Sequence, residues 1–189
     1  WYKIYNFLQK RSVAPIPFPP NQLTQYKKEF VNKLNPNIVL LECPGNHDQY
    51  SAPMQPVKTY LFSKFGNFYY KRTFDDLCIY SLGCYPTKLI SNWLEKHIKA
   101  DDSNYILFFH YPIVGPMSDW WSAEEKEYLY SKIKGTKCLA IYVGHTHVSS
   151  VMQYNEFTQY DGSGDSFWIA EYKNGVLQHT MHTNHHTSE

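Results

Sequence analysis

Residues 37–48 read NIVLLECPGNHD, an apolar run that ends on an amide, an imidazole and a carboxylate (Asn46, His47, Asp48). A short apolar run bounded by Pro36 and Pro44-Gly45 predicts a buried strand over 37–44, with PGNHD as a tight turn at its carboxyl end. The same grammar recurs twice downstream. YILFF at 105–109 runs directly into His110, and CLAIYV at 138–143 runs into Gly144-His145-Thr146-His147. In sheets flanked by helices, ligands bind beyond the carboxyl ends of the strands. The three loops are therefore expected to converge on one crevice.

The rest of the chain supplies the flanking elements. Leu23, Tyr26, Phe30 and Leu34 recur at helical spacing and predict an amphipathic helix from Asn21 to Asn35-Pro36. Residues 68–82 read as two strands around Asp75-Asp76, and Leu89, Ile90, Trp93, Leu94 and Ile98 fit one helix face. Ser122 and Glu125 form the S-x-x-E signature of a helix start, with the helix running to about Lys134. From Val148 onward the pattern is one of consecutive antiparallel strands, with Asn174-Gly175 as a hairpin turn. The proline-rich APIPFPP at 14–20 is expected to lie extended across the surface or a site mouth.

At 189 residues and 43% hydrophobic content the chain has material for one domain with a real core. We place it at residues 1–178, followed by a His-rich tail at 179–189 in which His179, His182, His185 and His186 are expected to be solvated. Lys and Arg total 18 against 17 Asp and Glu, and no basic stripe forms, so nucleic acid is not a favoured partner. No apolar run approaches the ~20 residues of a membrane span. Cys43, Cys78, Cys84 and Cys138 lack C-x-x-C spacing and read as buried thiols, although their even count also permits two disulfides. The first residue is Trp1 rather than Met, so the chain is expected to be a piece of a longer protein.

Asn46, His110, His145 and His147 are neutral oxygen and nitrogen donors of the kind that bind zinc, manganese or iron. A lone histidine is more often structural than ligating, but histidines at successive strand ends weaken that alternative. His145 and His147, separated by one residue, are expected to grip two metals rather than one. Tyr111, Met117, Trp120 and Trp121 either wall a pocket for an apolar or ring-bearing leaving group or simply pack beneath a long loop. Glu124, Glu125 and Glu127 occupy the first turns of a predicted helix, where they favour its dipole. The glycines of DGSGD at 161–165 have no phosphate-loop lysine and read as a turn.

Gly45-Asn46-His47-Asp48, the strand-terminal His110 of FFHYP and Gly144-His145-Thr146-His147 resemble, in order and placement, the last three motif blocks of the calcineurin-like metallophosphoesterases. The resemblance covers roughly residues 37 to 170. It extends to a branch in which HYP, a tryptophan loop and GHTH precede a Gly/Ser turn and a hydrophobic strand, here HYPIVGPMSDWWS and GSGDSFWIA. It implies an α+β fold, a four-layer αββα sandwich, here lacking its first strands. It also implies two transition metal ions (Mn, Fe or Zn), with Asn46, His110 and His145 on the second and His147 on the first. His47 would act as general acid or phosphoryl clamp, oriented by Asp48, while a hydroxide held between the two ions attacks a phosphate mono- or diester. Members of that branch are often exported, which leans the expected location towards secretory or extracellular; no Asn-x-Ser/Thr sequon is present to support it.

The chain departs from the family pattern at its start. The Asp-x-His and Gly-Asp blocks, the latter supplying the metal-bridging carboxylate, are absent, and Asp48, Asp75 and Asp76 come too late to replace them. In relatives the Gly-Asp block precedes a tryptophan helix similar to Trp1-Tyr2-Lys3. The missing ligands are therefore expected on an N-terminal segment or a partner chain. The alternative is a non-catalytic scaffold or interaction protein with a half-lost metal site.

Overall fold

Alternation along three central strands decides the architecture of the computed structural model, which describes residues 2–6, 22–50 and 55–183. In β3 (Leu77–Leu82), β4 (Asn104–Phe108) and β5 (Cys138–Val143) successive side chains point to opposite faces, and both faces are apolar. Tyr80, Leu82, Leu107, Ile141 and Val143 pack on one side against Leu94 and Ile98 of α4 (Lys88–Asp101) and Leu129 and Ile133 of α5 (Ala123–Ile133). On the other side Leu77, Ile79, Ile106, Ala140 and Tyr142 meet Trp168, Ala170 and Tyr172 of β8 (Ser166–Lys173). All six residues of β3 are buried, as expected of a strand covered on both faces.

The six-stranded mixed sheet runs β2-β3-β4-β5-β7-β6, where β2 is Tyr69–Phe74, β6 is Ser150–Tyr154 and β7 is Phe157–Asp161. β3, β4, β5 and β7 are mutually parallel, with α4 and α5 as the crossovers from β3 to β4 and from β4 to β5. The second sheet is β8 flanked by β1 (Tyr2–Asn6) and β9 (Val176–Thr183). The described residues thus form an α+β fold with three layers: helices, the six-stranded sheet and the second sheet. At the β2 edge, Phe65 of α3 (Gln55–Phe65) stacks on Tyr70, and Phe62 meets Phe68 edge-on.

Most of the predicted elements form. The hairpin at 69–82, the capped helix after Ser122, the two helix-linked strands and the Asn174-Gly175 turn all appear. The helix predicted from Asn21 appears as α1 (Gln22–Glu29) followed by a short 3-10 turn at Val31–Lys33.

Several expectations are corrected. Residues 37–44 join no sheet among the described residues, and Ile38 and Val39 are 47% and 61% exposed. The run is β-prone, but a strand needs a neighbour, and here the Tyr70 hydroxyl substitutes for one. It accepts from the Glu42 N–H (2.8 Å) and lies 2.7 Å from the Glu42 carbonyl. PGNHD is not a free turn but a helix start: Asn46 opens α2 (Asn46–Tyr50). The Gly45 N–H donates to Asp48 Oδ2 (3.1 Å) and the Asp48 N–H donates to the Gly45 carbonyl (3.0 Å), a reciprocal capping arrangement.

The run of strands after Val148 is not continuous either. β7 pairs in parallel with β5, and the chain then crosses to the second sheet. The 178/179 boundary falls inside β9, so His179 and His182 are strand residues, and His179 is half-buried. Tyr2 and Lys3 lie in β1, paired antiparallel with β8, rather than in a helix. The proline-rich stretch at 14–20, together with His185 and His186, lies outside the described residues. All four cysteines are free thiols, and no described helix is long and apolar enough to cross a membrane.

Candidate metal centre

The carboxyl ends of β3, β4 and β5 are stitched together by backbone bonds. The N–H groups of His110 and Tyr111 both donate to the Cys84 carbonyl just beyond β3, and the Gly144 N–H donates to the His110 carbonyl just beyond β5. His110 and His145 therefore emerge side by side. Asn46 approaches from the first residue of α2, and Gly45 lies so close that a Cβ there would come within 3.1 Å of the His110 ring. His110 Nε2 ends 2.8 Å from Asn46 Oδ1 and 3.1 Å from His145 Nδ1.

One imidazole nitrogen offers one proton or one lone pair, so His110 Nε2 cannot satisfy both neighbours. The two separations from His110 Nε2, 2.8 and 3.1 Å, are close to the ~3.0 Å between adjacent donors around an octahedral ion with bonds of ~2.1 Å. His145 Nε2 is buried without a hydrogen-bond partner. Burial pushes the His110 imidazole down to about 3, aided by His145, His47 and His147 nearby. His145 is lowered for the same reasons, burial first, then His147 and His47. Burial thus favours the neutral form of both rings, the form that ligates metal.

The turn that carries His145 is strained. His145 has φ +75° and His147 φ +60°, a region that β-carbon-bearing residues occupy only when the surroundings hold them there. Between them Thr146 donates its hydroxyl to Asp161 Oδ2 (2.5 Å) and accepts from the Val148 N–H (3.2 Å). Asp161 is 1% exposed, and its Oδ1 has no partner. Burial pushes its carboxyl up to about 7, against the opposing pull of Thr146 and the Gly162 N–H. Sequence reading missed this residue because it sought carboxylates upstream. The available signal was the alternation of FTQYD, which puts Asp161 on the inward face of its strand, where an unpaired carboxylate is costly.

The other predicted residues divide. His47 and His147 are both exposed and act on the His110–His145 pair through their charge. Tyr111 is buried, its ring 4.8 Å from that of His145 and 5.5 Å from that of His110. Trp120 is 53% exposed and meets the His145 ring edge-on at 4.5 Å. Trp121 instead belongs to the helix-side core, with Nε1 donating to the Pro112 carbonyl (2.8 Å). A second missed residue is Glu42, whose carboxylate gathers Tyr26, Tyr60 and Lys64 and so ties α1 and α3 to the segment leading into Asn46.

As a donor set, Asn46, His110 and His145 fit one ion. They bring no negative charge to balance it. Among the described residues no group of three or more His, Cys, Asp or Glu side chains is arranged to hold a metal. No family model matches the chain, and no curated protein aligns with it.

Proposed function

We propose that this chain carries part of a metal-dependent phosphoesterase, within the four-layer sandwich that its motifs imply. The single observation that supports the reading is the convergence of Asn46 Oδ1, His110 Nε2 and His145 Nδ1 from separate elements onto one point. A bound transition metal ion supplies Lewis acidity towards a phosphoryl oxygen. His147 would help to hold a second ion, whose other ligands would come from outside the described residues, on an upstream segment or a partner chain.

The remaining work falls to the chain's own side chains. His47, exposed and next to Asn46, donates a proton to the departing ester oxygen, and Asp48 holds the helix start that carries it. Trp120, half exposed, offers ring surface to the leaving group beside His145, and the buried Tyr111 ring packs behind it. The absence of a carboxylate from the cluster favours a second reading, a scaffold that retains half of an ancestral site.

The test is metal content by elemental mass spectrometry, paired with hydrolysis of p-nitrophenyl phosphate and its bis ester with and without added manganese. About one to two equivalents of transition metal, with turnover lost in His47→Ala, is the expected result for the enzyme. Neither metal nor turnover in the full-length protein would establish the scaffold.

A further inference from the structure

We propose that Asp161 is a positioning residue for the histidine turn: through the Thr146 hydroxyl it holds residues 144–147 in the conformation that presents His145 to His110 and Asn46. What the turn is for rests on the metal-centre reading, whereas the positioning does not.

Asp161 sits where such a device must sit. In the sheet it pairs with Val143 on one side and Ser150 on the other, the last residue before the turn region and the first strand residue after it. The turn therefore begins and ends beside this residue. Its main chain is fixed as well, because the Asp161 carbonyl accepts from Trp168 Nε1 at 2.8 Å, which ties it to the second sheet. The carboxyl group is thus held by two strands and a tryptophan and extends one acceptor to the middle of the turn.

The strain lies where this acceptor can restrain it. His145 and His147, the two positive-φ residues of the turn, flank Thr146, whose hydroxyl donates to Asp161 and accepts from the Val148 N–H. Its own N–H closes back on the Gly144 carbonyl at 2.9 Å. A left-handed residue with a β-carbon persists only where its surroundings over-determine it. Residues that orient ligands in this way act on the metal without touching it.

The test compares Asp161→Ala, Asp161→Asn, Thr146→Val, Thr146→Ser and the Ala/Val double variant. One readout needs no metal: the imidazole 1H–13C correlation spectrum, with His97, which contacts the Trp93 carbonyl on α4, as the internal control. The other is calorimetric affinity for Mn2+ and Zn2+. Asp161→Ala and Thr146→Val are expected to move the His145 and His110 resonances while leaving His97 in place, and to weaken metal binding by about 10- to 100-fold. Asn and Ser, which keep the hydrogen bond, should restore both readouts, and the double variant should lose no more than either single one. Unchanged His145 resonances in Asp161→Ala, or losses that simply add in the double variant, would overturn the proposal. If Asp161→Ala fails to fold, the isosteric Thr146→Val and Thr146→Ser pair decides. Displaced His145 resonances in a protein that binds neither ion would sink the metal reading and leave the positioning intact.

Discussion

Gly45 is the tightest point around the candidate site. A β-carbon there would press on three atoms of the His110 ring at 3.1–3.3 Å, and the ring would have to move by a few tenths of an ångström. Gly45→Ala is therefore expected to weaken Mn2+ binding by roughly tenfold, the scale of a misoriented ligand, while leaving the thermal midpoint near that of the parent. Titration calorimetry and thermal unfolding separate the two effects. At the far side of the sheet His179 stacks on Tyr160 at 3.8 Å and lies 2.7 Å from the Tyr142 hydroxyl, and burial pushes its imidazole down to about 4. Its unfolded form takes a proton near 6.5 and its folded form does not, so its contribution to stability is present above that pH and is lost as pH falls towards 4. His110 and His145 act in the same direction and Asp161 in the opposite one. The difference between parent and His179→Gln urea midpoints should accordingly shrink as pH falls from 7.5 to 4.5. A constant difference would mean that His179 is protonated in the folded chain.

At the scale of elements, the segment before Asn46 shows how a side chain can stand in for a strand. The Tyr70 hydroxyl bonds both polar groups of the Glu42 backbone, while the Glu42 carboxylate receives Tyr26, Tyr60 and Lys64. Tyr70→Phe keeps the ring stacked on Phe65 and removes only the hydroxyl. Leaving those backbone groups unsatisfied should cost about 1–3 kcal/mol, read from the urea midpoint, and the loosened loop should weaken metal binding as well. α5 is the opposite case, readable directly from its sequence. Ser122 Oγ accepts from the Glu125 N–H at 3.2 Å and bonds the Glu125 carboxylate at 3.1 Å, so the chemistry that starts the helix lies within four consecutive residues.

For the whole molecule, the contact between the two sheets sets two alanines among large side chains. Ala140 and Ala170, both essentially without exposure, sit among Leu77, Ile79, Ile106 and Trp168 in the inter-sheet layer. Such a layer is packed to the density of a crystal and has no slack for added methylenes. Ala170→Leu should destabilise the fold by about 1–3 kcal/mol, seen as a lower midpoint in thermal circular dichroism with native-like spectra below it. Because Asp161 is tied to Trp168 across this layer, the same variant should also disturb the His145 resonances. An unaffected histidine turn would show that the second sheet does not bear on the site.

The local signals in the sequence were sufficient for β3, β4, β5 and their crossover helices. Apolar runs, helical periodicity and capping residues act over a few positions, and those strands are buried on both faces whatever surrounds them. They were also sufficient to nominate Asn46, His110 and His145, because ligand chemistry belongs to residue type and strand ends gather in a parallel sheet. Tertiary structure alone decided the rest. Residues 37–44 have strand composition but no ladder partner among the described residues, and the strands after Val148 divide between two sheets. His179 proved to be a strand residue rather than part of a solvated tail, and Trp121 core rather than wall. Asp161 acquired its position beneath the turn only when β5, β6 and β7 came together. Pairing, burial and the support of a strained turn are relations between distant residues, and no local pattern encodes them.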